Sequence, residues 1–365
     1  MELSKILNKY GCCAFLFLCF SLPAHSVSSE PKLVSSGLEL PWSIEFLDAN
    51  TLLLSERAGR IKQMDRATGL TKNITGVWPV WFSGQGGLLD LAVDPQGSGW
   101  IYATYSKPAP DGASTALARF KVIGMKVEQF EELFVSNAIS SGGRHFGSRI
   151  AFDDNVDGTN ANSGHVFFTS GDRGERDSAQ DLSSHAGTVL RLNKDGSIPE
   201  DNPFVGQAKA MPEIWSYGHR NPQGLSYDSQ TGRLWLIEHG PRGGDEINLV
   251  KKAANYGWPV ISYGKEYWGP FDVGEGTRRD GMEQPVKYYD PSIAPGSLLF
   301  HKGKLYAGAL KLQHLNRVDI DASGNASNEM RLFGGLEQRI RDVTASSDGL
   351  IYFITDQGNL YQFKP

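Results

Sequence analysis

Along residues 52–363, short apolar stretches recur in pairs. Each pair opens with leucines, aromatics or β-branched residues, passes through a polar turn that often holds glycine, and continues as a second stretch of alternating character. The first pair is Leu52-Leu53-Leu54-Ser55 with residues 59–64, and the second is Ile101-Tyr102-Ala103-Thr104 with 118–122. Then come Val166-Phe167-Phe168-Thr169 with 189–192, Leu234-Trp235-Leu236-Ile237 with 246–249, Leu305-Tyr306-Ala307-Gly308 with 315–318, and Ile351-Tyr352-Phe353-Ile354 with 360–363. Onsets at 52, 101, 166, 234, 305 and 351 lie 46 to 71 residues apart. That spacing accommodates four short strands and their loops, the size of one propeller blade. Most pairs are preceded by a further strand candidate, such as residues 42–46, 88–93 or 224–227, placed to line a central channel. Long amphipathic helical patterns are absent. The pattern predicts an all-β chain, a six-bladed β-propeller of four-stranded antiparallel blades. The uneven period leaves a pair of β-sandwiches as the alternative.

The first residues break this pattern. Lys5 and Lys9 precede an apolar run over 12–22, followed by Pro23-Ala24-His25-Ser26. This is the layout of a cleavable secretory signal over 1–26, which leaves 27–365 as one propeller domain. The run is shorter than the roughly 20 residues of a membrane-spanning helix, so no membrane anchor is expected, and a periplasmic or secreted protein is. All three cysteines, Cys12, Cys13 and Cys19, fall inside the signal. The exported chain would then have no disulfide and no thiolate, which excludes cysteine nucleophiles and zinc–cysteine sites. The chain carries a net charge of −5 and no basic run, so nucleic acid is not an expected partner.

In a propeller, polar clusters at strand ends in distant units converge on one funnel. Gly84-Gln85-Gly86-Gly87 precedes the second inner strand, Arg144-His145-Phe146-Gly147 the third, residues 218–224 the fourth, and Gln338-Arg339-Ile340-Arg341-Asp342 the sixth. Lys311 follows the stretch 305–308, read as an outer strand. One histidine with several cations and amides suggests an anionic ligand. His145 is the candidate general base, because imidazole alone titrates near neutral pH without large perturbation. Residues 238–246 form a Gly-rich loop with three carboxylates, suited to calcium or equally to a plain acidic turn. Residues 171–177 alternate in charge and read as a self-paired loop in the funnel wall.

The motifs at 84–90, His145 with Arg149, 218–225, 238–249, 255–259 and 339–343 together resemble the soluble pyrroloquinoline-quinone (PQQ)-dependent aldose sugar dehydrogenases of the glucose/sorbosone dehydrogenase family. The resemblance spans nearly the whole chain beyond the signal. It implies that His145 removes the proton of the sugar's anomeric hydroxyl while hydride passes to the quinone, and that Arg220 polarises the accepting carbonyl. It places Gln85, His145, Arg220, Asn221, Tyr267, Lys311, Arg339 and Arg341 against PQQ. It implies one Ca2+ at the carbonyls of Gly240 and Pro241, and a structural Ca2+ at Glu246 and Tyr256. The expected partners are an aldose and an external electron acceptor, in a monomer or homodimer. Of two other classes, a calcium-dependent propeller lactonase leaves Lys311, Arg339 and Arg341 without an anionic partner, and a non-catalytic binding propeller predicts exposed apolar patches.

Overall fold

Leu52, Leu53 and Leu54 are consecutive, yet all three are fully buried. Leu53 packs with Leu88, Ile101 and Ala103 on one side of its strand. Leu52 and Leu54 pack with Tyr352, Ile354 and Leu360 on the other. A strand covered on both faces needs apolar side chains at every position, which explains the continuous runs in the sequence. Phe167 and its neighbours Val166 and Phe168 divide in the same way between two cores. Each core is therefore the seam between adjacent blades.

The computed structural model describes residues 30–153 and 164–365. The signal read over 1–26 lies outside them. Among the described residues there are six four-stranded antiparallel sheets. The chain enters with β1 (Lys32–Ser35). Blade 1 is β2 (Pro41–Asp48), β3 (Thr51–Glu56), β4 (Arg60–Asp65) and β5 (Thr71–Ile74). Blade 2 is β6 (Leu88–Val93), β7 (Ile101–Ala109), β8 (Gly112–Ile123) and β9 (Lys126–Val135). Blade 3 is β10 (Ile150–Phe152), β11 (His165–Ser170), β12 (Thr188–Asn193) and β13 (Ile214–Tyr217). Blade 4 is β14 (Pro222–Asp228), β15 (Arg233–Glu238), β16 (Asp245–Val250) and β17 (Lys287–Tyr289). Blade 5 is β18 (Leu299–His301), β19 (Lys304–Ala309), β20 (His314–Ile320) and β21 (Ala326–Leu332). Blade 6 is β22 (Ile340–Ala345), β23 (Ile351–Thr355) and β24 (Leu360–Phe363). Its fourth strand is β1, which pairs Lys32 with Gln362 and Leu33 with Tyr361.

The predicted six-bladed propeller is therefore the observed fold. The predicted pairs are the second and third strands of every blade. Three placements differ: residues 305–308 belong to β19, second from the axis, residues 222–224 already lie on the inner strand β14, and residues 340–342 lie on the inner strand β22 instead of before it. No helix among the described residues is long and apolar enough to cross a membrane.

One side chain ties the axis together. Arg149, just before β10, donates to the carbonyls of Gln223 (2.9 Å) and Gly296 (2.5 Å) and pairs with Asp90 (3.1 Å) and Asp342 (2.9 Å). Its guanidinium also lies 3.9 Å from the centre of the Trp42 ring. These partners come from, or lead into, all five other blades.

Candidate active site

At one mouth of the channel each blade offers two short segments: the residues before its inner strand and those after its second strand. Gln85, His145, Arg220, Asn221 and Arg339 are of the first kind. Arg57, Asp172, His239, Leu310 and Asp356 are of the second. Most of them line a cavity of about 290 Å³, among them Gln85, Asn221, Arg339 and Asp356, together with Trp42 and Arg341. His145 stands at its edge, next to the lining residues Phe146 and Gly147.

His145 is held from three directions. Its backbone N–H donates to Gln85 Oε1 (2.7 Å), its Nδ1 lies 2.6 Å from Asp172 Oδ1, and its φ is 54°, in the left-handed region. That backbone is costly for a non-glycine residue and is often found at functional sites. Gly171 makes the fit possible, because a Cβ there would lie 2.2 Å from the His145 carbonyl oxygen. Asp172 is fixed in turn by the Trp258 indole N–H (2.8 Å) and the Gly174 N–H (2.7 Å). Burial would raise the Asp172 carboxyl, but its bond to His145 and the Gly174 N–H outweigh this and hold it below the usual range. For His145, burial and the charges of Arg220 and Arg144 prevail over Asp172 and push the imidazole below its ordinary value. A neutral ring bound to a carboxylate carries its proton on Nδ1, which leaves the Nε2 lone pair to accept another.

Arg220 completes this edge. Its backbone N–H is held by Glu238 (2.6 Å), and its guanidinium donates to the His239 carbonyl (3.2 Å) and the Tyr267 hydroxyl (3.3 Å). Across the cavity Arg339 and Arg341 share one carboxylate. Asp356 accepts from Arg339 Nε (2.8 Å) and from Arg341 Nε and Nη2 (2.8 and 3.0 Å). Arg57 lines the same wall, its guanidinium lowered by burial and then by the charge of Arg341. Three guanidiniums around one carboxylate leave a net positive wall. His239 stays neutral there, lowered to about 3 by burial and by the neighbouring cations, and sits 2.6 Å from the Pro295 carbonyl.

Beneath Arg220, the paired positions Glu238 and Glu246 on β15 and β16 face a second cavity of about 20 Å³, with Gly218, Gly240, Tyr256 and Trp258. This is room for one water-sized occupant. Burial and the charge of Glu238 push Glu246 up to about 8, while Glu238 lies 2.9 Å from His219 Nδ1. Gly240 is required there, since a Cβ would lie 2.2 Å from the Gly244 carbonyl oxygen.

The structure thus brings together Gln85, His145, Arg220, Asn221, Arg339 and Arg341. Gly240, Glu246 and Tyr256 gather at the small cavity, and Pro241 is buried beside Gly240. Tyr267 reaches the site through Arg220 while its side chain stays largely exposed. Lys311 is exposed, and its neighbour Leu310 lines the cavity. The loop 171–177 is not self-paired: Asp172 binds His145, Arg173 stacks on Phe146 with 3.4 Å to the ring centre, and Arg176 binds Glu266 (2.6 and 2.8 Å). Of the three carboxylates in 238–246, Asp245 is taken by the Gly240 N–H, Ser292 and the Ala294 N–H. Arg57, Asp172, His239 and Asp356 were not singled out from the sequence as site residues. All four follow the second strand of a blade, a position readable once the repeat is aligned.

Residues 38–362 match the Glucose / Sorbosone dehydrogenase family. The chain belongs to that family. It is thereby placed among oxidoreductases that act on sugars. It is 37% identical to the Escherichia coli aldose sugar dehydrogenase YliI over 95% of this chain and 96% of the relative. The structure of the soluble aldose sugar dehydrogenase from E. coli in its apo form superposes with a TM-score of 0.85 at 35% identity, covering 91% of this chain and 98% of that one. The PQQ-bound aldose sugar dehydrogenase of Streptomyces coelicolor superposes with a TM-score of 0.75 at 25% identity, covering 91% and 96%.

Proposed function

We propose that this protein is a PQQ-dependent aldose 1-dehydrogenase that oxidises aldoses to aldonolactones and passes the electrons to an external acceptor. The observation that carries this reading is the opposition of a neutral imidazole with a free Nε2 to a wall of arginines that outnumber their carboxylate. A polycarboxylate quinone suits that wall, since charge-assisted, bidentate bonds to guanidinium are the strongest such contacts. The relatives named for aldose oxidation, and the one solved with PQQ, support the same assignment.

His145 Nε2 takes the proton of the anomeric hydroxyl, and Asp172 stabilises the imidazolium that results. The anomeric C–H leaves as hydride with its electron pair, and the remaining C–O bond becomes the lactone carbonyl. The quinone, when bound, supplies the two-electron acceptor for that hydride. Arg220 would polarise the accepting carbonyl, and Gln85, Asn221, Arg339 and Arg341 would hold the cofactor, with Tyr267 and Lys311 at its margin. Calcium fits the chain as a partner: the carbonyls of Gly240 and Pro241 would hold one ion, where it supplies Lewis acidity, and Glu246 with Tyr256 a structural one. The secretory layout of 1–26 supports a periplasmic or secreted enzyme.

Reconstitution tests this reading. Purified protein given PQQ and Ca2+ should reduce an artificial dye in the presence of glucose. A folded, reconstituted protein that oxidises no aldose would refute it.

A further inference from the structure

Next to Tyr267, the loop carries two large aromatic side chains in water: Trp268 is 74% exposed and Phe271 55%. Their rings lie 4.8 Å apart, tilted by 34°. Adjacent exposed aromatics of this size mark a contact surface. This loop is firmly built. Arg242 and Lys265 exchange backbone bonds (3.1 Å each way), Glu266 N–H donates to Phe271 O (2.8 Å), and Arg242 holds the Gly269 carbonyl (2.6 Å). Glu266 is clamped by Arg176 (2.6 Å).

The loop is also continuous with the reaction centre. Tyr267 bonds to Arg220, whose guanidinium lies 5.3 Å from the Trp258 ring centre, and Trp258 bonds to Asp172, the partner of His145. One connected set of side chains runs from the base to the rim. An aromatic face is electron-rich and receives the polarised C–H groups of a pyranose, while the sugar's hydroxyls remain in water.

We propose that Trp268 and Phe271 form a stacking platform for the second pyranose ring of an oligosaccharide whose reducing end is at His145. The platform rests on the reading of the site as an aldose dehydrogenase and adds a preference for chain length. A β-linked gluco-disaccharide such as cellobiose is the matching probe, because its rings are flat and carry C–H groups on both faces.

The test compares glucose with cellobiose on the reconstituted full chain. Trp268→Ala should raise KM for cellobiose about three- to ten-fold and leave kcat and the glucose KM unchanged, with Trp268→Phe recovering part of the loss. Saturation-transfer NMR on the quinone-free protein should show contact at the distal-ring protons of cellobiose, lost in Trp268→Ala. Equal effects on both sugars, or none, overturn the platform. So does a Trp268→Ala protein altered only in its use of a protein electron acceptor or in its oligomeric state, which would make the patch a protein-docking surface. If the wild type oxidises neither sugar, the dehydrogenase reading fails, and the NMR contact still decides the platform.

Discussion

The two ends of the central channel are built from the same six inner strands, yet they carry opposite charge. At the end where those strands begin, Arg57, Arg339 and Arg341 surround Asp356. Past Arg149, a third cavity of about 240 Å³ is lined by Glu45, Asp90 and Asp342 with that one arginine. Burial, then the charges of Asp90 and Asp342, push Glu45 up to about 8, and burial pushes Asp342 up to about 6 against the pull of Arg149. The arginine end is the place for an anion and for chemistry. The carboxylate end bears on stability, and Arg149 over Trp42 separates the two.

The sharpest test acts on the arginine end alone. His145→Ala should lower kcat by about 10² to 10⁴ while leaving the thermal midpoint nearly unchanged, read by dye-linked kinetics and calorimetry. In the wild type, kcat/KM should fall only as pH drops through the lowered imidazole value, below the usual 6.5 of histidine, and should stay level above it. An acid limb centred above that value would contradict a neutral, buried base.

Breaking the divider should cost stability. Arg149→Met leaves Asp90 and Asp342 facing each other without their cation, and should destabilise the fold by about 3 to 5 kcal/mol in urea unfolding at neutral pH. The loss should shrink at pH 5, where the raised carboxyls hold their protons. A smaller effect follows from Arg341→Gln, which removes a charge-assisted donor from the positive wall. PQQ should bind about 10- to 100-fold more weakly, measured by its absorbance on titration, and the stability gained as Asp356 ionises should shrink, because the Arg341 charge helps hold that carboxyl below its ordinary range.

The gentlest test addresses the carboxylate end. A carboxyl whose folded pKa lies above its unfolded value binds its proton more tightly in the native state, so stability falls as pH rises between the two. For Glu45 that window runs from about 4.5 to about 8. Glu45→Gln should be nearly neutral at pH 5 and stabilising by on the order of a few kcal/mol at pH 9, with sugar oxidation unchanged. A mutant that follows the wild-type slope would show that Glu45 does not titrate there.

Much of this was legible in the sequence. The continuous apolar runs at 52–54 and 166–168 announce strands covered on both faces, and six of them announce six blades. Polar motifs before inner strands marked His145, Arg220 and Arg339, because those segments combine glycine turns with rare chemistry. The closing strand β1 went unread: Lys32–Ser35 is four residues long, and its partner lies at 360–362, beyond the reach of any local pattern. Asp172 was hidden for a related reason. In a loop of alternating charge, neighbours look like each other's partners, and only the ring geometry sends Asp172 to His145 and Arg176 to Glu266. The carboxylates at 238–246 looked alike in sequence, and folding separates Asp245, consumed by backbone donors, from the Glu238 and Glu246 pair.

The pairing of β1 with β24 also orders events in time. Arg339 and Arg341 belong to the blade that this pairing completes, so a closed ring that carries the full positive wall requires residues 360–362 to meet residues 32–35. A chain whose last residues are still to be made holds at most five blades and part of a sixth, with an unfinished positive wall. Binding of the proposed quinone would then wait for a ring that has already shut.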